Sequence, residues 1–170
     1  VKKTIQTYRD AWDDPKAPVW FLNETDCRSA VYAAKPNLLP FYDREVHESW
    51  KADICHVAAL YLAGGYYFDV STEIVRPWVP DRDVTFAAAA DPDTTRYLQS
   101  FLASDSKGRI VEKALDVMLL FYEQRKSRRF ELLGPDTLKW AIESIPQSDQ
   151  GKMVVLEQVY SIRPLGSDTD

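Results

Sequence analysis

Apolar residues recur at three- and four-residue intervals through Trp50, Ile54, Val57, Ala58 and Tyr61, the spacing of a core-facing helical stripe. Glu48 or Ser49 opens this helix, and Gly64-Gly65 supplies a left-handed stop. Tyr66 to Val70 follows as a near-continuous apolar run, which predicts a strand covered on both faces. Glu73 to Arg76 continues it after a kink at Ser71-Thr72, and Pro77 ends it. Upstream, Asn23 or Thr25 caps a helix through about Lys35, with Cys27, Ala30, Val31 and Ala34 on its buried face. Pro36 and Pro40 then break the chain. Downstream, Val84–Ala90 and Tyr97–Ala103 read as strands. Ile110–Glu123 reads as a helix with Ile110, Ala114, Val117, Met118 and Phe121 on one face. Gly134 to about Ile145 is a further helix with Pro135 in its first turn, and Met153–Leu156 a closing strand. At the N terminus, Thr4–Tyr8 is expected to be a short first strand and residues 9–18 a polar loop. Val19–Leu22 is expected to be a second strand.

Strands alternating with helices predict an α/β domain, one mostly parallel sheet flanked by helices. It spans residues 1–166, with a polar tail over 167–170; there is no repeat or linker to divide it. A chain of 170 residues with 45% hydrophobic and 12% aromatic content can bury a core. The net charge of −5 counts against a nucleic-acid partner, and Arg125-Lys126-Ser127-Arg128-Arg129 reads as a solvated, helix-capping cluster. Cys27 and Cys55 lack metal-ligand spacing; buried free thiols are expected, with a disulfide as the alternative. No membrane span or signal peptide is visible. A first residue of Val rather than Met suggests an excised domain, and the compartment is left open.

The chemistry concentrates after the main helix. Asp69 ends an apolar strand, and open α/β sheets bind ligands at the carboxyl ends of their strands. A carboxylate there can hold Mn²⁺ or Mg²⁺ against substrate phosphates; otherwise it caps a turn. Ser71 offers one neutral oxygen beside it, a weaker ligand than a carboxylate. Asp53 lies on the core helix, where a carboxylate must face a cleft or pair with a base such as Lys51 or Arg76. His56, one turn on, points the same way and is either a cleft residue or a satisfied structural histidine. Tyr66, Tyr67 and Phe68 are expected to pack the sheet. There is no Gly-rich phosphate loop, nucleophile elbow or Cys/His cluster to support dehydrogenase, P-loop, hydrolase or zinc chemistry.

Lys51-Ala52-Asp53-Ile54-Cys55-His56 followed by Gly64-Gly65-Tyr66-Tyr67-Phe68-Asp69-Val70-Ser71 resembles the DXD-type glycosyltransferases of family 32. In these initiating α-mannosyltransferase-like and capsular-polysaccharide-synthesis-like proteins the helix reads [KR]-A-D-x-x-R and the strand G-G-x-Y-x-D-x-D. His56 stands where the family has Arg, and Ser71 where it has the second Asp. Ile5-Gln6-Thr7-Tyr8 resembles the family's I-x-Q-T-[WY], Phe21-Leu22-Asn23 with Asp26-Cys27 its F-x-D-D-x-[DE]-C, and Leu133-Gly134-Pro135 its [TL]-G-P. The resemblance implies a GT-A fold and a retaining, metal-assisted transfer from a nucleotide-diphosphate sugar to a glycan or lipid-linked acceptor. It places Gln6, Thr7, Asp53, His56 and Asp69 at the donor, Asp69 and Ser71 at Mn²⁺ or Mg²⁺, and Gly134, Pro135 and Asp136 on the acceptor side. The alternative is a non-catalytic GT-A domain that binds nucleotide sugar or serves in assembly. For compartment, the resemblance implies the Golgi lumen or a membrane surface in a eukaryote and the cytoplasm in a bacterium or virus.

Overall fold

A computed structural model describes residues 2–11, 15–72, 78–90, 96–124 and 133–157. The helices are α1 (Lys2–Ala11), α2 (Glu24–Ala34), α3 (Leu39–Tyr42), α4 (Glu48–Ala63), α5 (Arg109–Gln124) and α6 (Leu133–Ser144). The strands are β1 (Gly65–Phe68), β2 (Val84–Ala90), β3 (Tyr97–Ser104) and β4 (Lys152–Glu157). Trp12, the stretch from Glu73 to Pro77, the basic cluster Arg125–Arg129 and the 167–170 tail lie outside the described residues.

The sheet order is β1-β3-β2-β4. β3 is antiparallel to both β1 and β2, while β4 is parallel to β2. Three strands therefore share one direction, but two of the three pairings are antiparallel, so the sheet is mixed rather than mostly parallel. The reversed strand sits between two of them, so only the β2–β4 pairing is itself parallel. One consequence governs the site: the carboxyl ends of β1, β2 and β4 meet the start of β3 at a single end of the sheet.

Strand alternation divides the apolar residues between two faces. Phe86, Ala88, Leu102 and Tyr67 pack with α2, α4, α5 and α6. Ala87, Ala89, Phe101, Ala103, Tyr66 and Phe68 pack on the other face with Tyr8 of α1. Helix α4 presents Ile54, Val57 and Ala58 fully buried, as its periodicity predicts. It stops at Gly64, whose φ is 69°. A Cβ there would lie 2.6 Å from the Ser106 backbone nitrogen. The 104–108 loop needs that approach, because Lys107 N–H and the Ser106 hydroxyl donate to the Tyr61 and Leu62 carbonyls that the helix end leaves unpaired.

Three further expectations are corrected. The segment Thr4–Tyr8 is helical, within α1. Its Thr-Ile-Gln-Thr-Tyr sequence is too short for period to separate helix from strand. The helix gains an i,i+4 bond from the Gln6 amide to Asp10 and buries Tyr8 against Tyr66 and Phe68. Val19–Leu22 forms no strand; Trp20 and Phe21 are exposed, and the segment leads into Asn23, which caps α2 in a capping box with Asp26. Cys27 and Cys55 are joined in a disulfide rather than free. Packing of α2 on α4 brings them together, a proximity that spacing along the chain cannot reveal.

Candidate functional site

Asp69 follows β1 directly. By alternation its side chain lies on the same face as that of Tyr67, the face covered by α4. Tyr67 uses this placement: its hydroxyl donates to Asp69 Oδ1 at 2.6 Å. Its ring stacks on His56 with centroids 4.0 Å apart. On the adjacent strand, the Ser100 carbonyl accepts the Asp69 N–H at 2.9 Å. A turn follows, closed by Thr72 N–H to the Asp69 carbonyl, and it leaves Ser71 exposed.

Asp53 and His56 face the same region from α4. His56 is 3% exposed, and its Nε2 is bonded to the Gln99 side chain. Burial, partly offset by Gln99 and by the charge of Asp69, pushes its pKa down to about 4, so the ring is neutral at pH 7. Among the described residues, His56 Nδ1 and Gln99 Nε2 have no partner. Gln99 reaches α4 through an irregularity in β3, where Ala88 faces Leu102 while the next residue, Ala89, faces Leu98. Such a bulge reverses which residues face each side. Leu98 therefore joins the α1 face, and Gln99 turns towards His56.

Asp53 points at the start of α6. Its Oδ2 accepts the Gly134 N–H at 3.0 Å, a carboxylate at a helix N-terminus. A Cβ on residue 134 would sit 2.6 Å from that carboxylate, so any larger residue there makes the Asp53 side chain shift. Burial raises the Asp53 pKa to about 7, opposed by the Gly134 bond and reinforced by the charge of Asp69. In the same first turn of α6, Asp136 pairs with Arg96 at the entrance to β3, with Arg96 Nε 3.1 Å from Asp136 Oδ1.

Asp53, His56 and Asp69 thus converge, and Gly134 and Asp136 join them at the head of α6. Gln6 and Thr7 lie on α1, whose Tyr8 packs on the opposite sheet face. Lys51 does not pair with Asp53; it binds Glu24 at 2.8 Å. Arg76, the other expected partner, lies outside the described residues. Sequence reading missed three contributors: Tyr67 as a ligand of Asp69, Gln99 and Arg96. A lone Gln amid the apolar run Tyr97–Ala103 was the available signal, because a polar side chain in a covered strand must face a partner.

No cluster of three His, Cys, Asp or Glu residues that could hold a metal occurs among the described residues. Asp69 and the exposed Ser71 stand two residues apart and offer fewer oxygens than the shell of a hard cation needs. No described helix is long and apolar enough to cross a membrane.

No family model matches the chain, family 32 included, and no curated protein matches it. Among solved structures it is similar to one described as PaToxG glycosyltransferase, with a TM-score of 0.53 and 19% identity. The match covers 76% of this chain and 44% of that one, so this chain spans less than half of its length. At that identity the likeness concerns the fold alone: α/β, with a four-stranded sheet flanked by helices, consistent with a GT-A-like fold.

Proposed function

We propose that the chain is the donor-binding region of a glycosyltransferase, a member of family 32 or a close derivative. It would move a sugar from a nucleotide-diphosphate sugar to a hydroxyl of a glycan or lipid-linked acceptor, with retention of configuration. The observation that carries this reading is the convergence of Asp53, Tyr67 and Asp69 at the carboxyl end of β1 within a glycosyltransferase-like fold. In it, Asp69 and Ser71 would hold Mn²⁺ or Mg²⁺ together with donor phosphates. Such an ion stabilises the charge of a departing diphosphate. Tyr67 fixes the Asp69 carboxyl by occupying Oδ1, and Asp53, anchored by Gly134, offers its carboxyl to sugar hydroxyls. Gln6 and Thr7 are assigned to base and ribose through the resemblance alone. Gly134, Pro135 and Asp136 are assigned to the acceptor side through the resemblance alone.

One observation favours a second reading, a domain that binds nucleotide sugar without turnover. His56 is buried, neutral and engaged with Gln99, so it offers the ligand no positive charge. Calorimetric titration with nucleoside diphosphates and their sugars, with and without Mn²⁺, separates the readings. On the transferase reading Mn²⁺ tightens binding, Asp69→Asn abolishes that gain, and Ser71→Asp strengthens it while donor hydrolysis holds or rises. Binding indifferent to Mn²⁺, no hydrolysis, and weaker affinity in Ser71→Asp through repulsion from Asp69 would establish the non-catalytic reading.

A further inference from the structure

We propose that Arg96 receives the donor's diphosphate, supplying the positive charge that position 56 lacks; the proposal rests on the nucleotide-sugar reading above. The electrostatics of this end of the sheet pose the problem. Asp53 and Asp69 bring two carboxyl groups close enough to feel each other's charge, with Asp136 two residues beyond Gly134, and a diphosphate arriving there would be repelled without cations. His56 cannot answer: its ring lies between Tyr67 and Gln99, 3% exposed. Among the described residues, the lysines of α4 and α6 are committed elsewhere. Lys51 binds Glu24, towards α2, and Lys139 pairs with Glu143 one turn further along α6.

Arg96 stands where the chain re-enters the sheet at the end to which β1 and β2 deliver their carboxyl termini. Its geometry is tied to the site from two directions. Through its side chain it holds Asp136, two residues beyond the Gly134 whose N–H binds Asp53. Through its own strand it leads to Gln99, which holds His56, and to Ser100, which holds the Asp69 backbone. Its side chain is 30% exposed while that of Asp136 is 13% exposed, so Arg96 is the more accessible partner of the pair. A guanidinium already docked on a carboxylate presents the planar fork that also fits phosphate oxygens, which a lysine would not. Asp136 then acts as a counter-ion that the diphosphate displaces.

The test is calorimetric titration of nucleoside mono- and diphosphates, in the presence of Mn²⁺, into wild type, Arg96→Gln, Arg96→Lys and Asp136→Asn. Wild type should bind a diphosphate more tightly than its monophosphate. Arg96→Gln should lose about tenfold or more in diphosphate affinity and narrow that gap. Arg96→Lys should recover part of the loss. Asp136→Asn should keep or tighten diphosphate binding, because the competing carboxylate is gone. A purely structural ion pair predicts instead that Arg96→Gln and Asp136→Asn fall together with the gap unchanged, and that result overturns the proposal alone. Wild type that binds nucleotides without preferring diphosphates also overturns it alone. Wild type that binds no nucleotide overturns both this and the transferase reading. Melting curves establish folding; should Arg96→Gln not fold, the contrast between Arg96→Lys and Asp136→Asn decides.

Discussion

Asp53 and His56, one helical turn apart, respond to pH in opposite senses. Asp53 has an ordinary pKa of 3.8 when unfolded and about 7 when folded, because burial disfavours its charged form. A raised folded pKa contributes stability that is complete below pH 3.8 and is lost as pH rises through about 7. His56 moves from 6.5 down to about 4. Its contribution is present above pH 6.5 and is lost as pH falls through about 4. Between pH 4 and 6.5 the two slopes oppose each other, each at most about 1.4 kcal/mol per pH unit. Wild type should therefore show a shallow dependence there. Asp53→Asn removes one side of the balance, so stability should climb steeply from pH 4 to 6.5 and then level. His56→Phe should uncover the reverse, a decline from pH 4 to 7. Urea unfolding at half-unit pH intervals reads both; parallel profiles for the two variants would show that these groups do not titrate as their burial requires.

At the scale of elements, α6 shows how a rule of local sequence can be outweighed. Gly134-Pro135 was legible as a helix start because Pro suits the first turn. Propensity alone would favour replacing Gly134 with Ala by up to about 1 kcal/mol. Against that stands Asp53, 81 residues away in sequence, whose carboxylate lies 2.6 Å from where a Cβ would be and would have to leave its bond to the Gly134 N–H or be crowded. Overpacking of this kind costs about 1–3 kcal/mol, so Gly134→Ala should destabilise despite its better helix former. Much of that loss should return in Gly134→Ala/Asp53→Ala, and a double-mutant cycle with no coupling would show that the two residues are independent. The same distinction separates what was legible from what was not. Long periodic segments such as α4 and α5 declared themselves, and the short run Thr4–Tyr8 did not. The bulge that turns Gln99 onto His56 breaks the alternation on which any strand reading depends, so half of the His56 environment was invisible. Asp53, His56 and Asp69 could be named because helix and strand periods each point them to one side; how each is held required the fold.

For the molecule as a whole, the Cys27–Cys55 bridge is the largest feature that linear spacing concealed. It ties α2 to α4, and α4 carries Asp53 and His56 on either side of Cys55. The two cysteines lie 28 residues apart. Closing a loop of that length restricts the unfolded chain enough to stabilise the fold by about 3–4 kcal/mol. The packing of α2 on α4 is substantial in its own right, with Val31, Ile54 and Val57 fully buried, so the domain should remain folded without the bridge but with a much smaller margin. Cys27→Ser/Cys55→Ser should lower the urea midpoint by about 1–4 M, given slopes of about 1–3 kcal/mol per M. Because α4 loosens with the bridge, the nucleotide affinity that the proposed function requires should fall in the same variant. A disulfide persists where the surroundings are oxidising, so wild type treated with a strong thiol reductant should converge on the double-serine variant, which itself should not respond. Mass measurement after alkylation reports the thiol state in each sample. Wild type that is fully reduced by this measure yet keeps its unreduced midpoint would show that helix packing alone holds α2 on α4, and that the bridge contributes nothing to the margin.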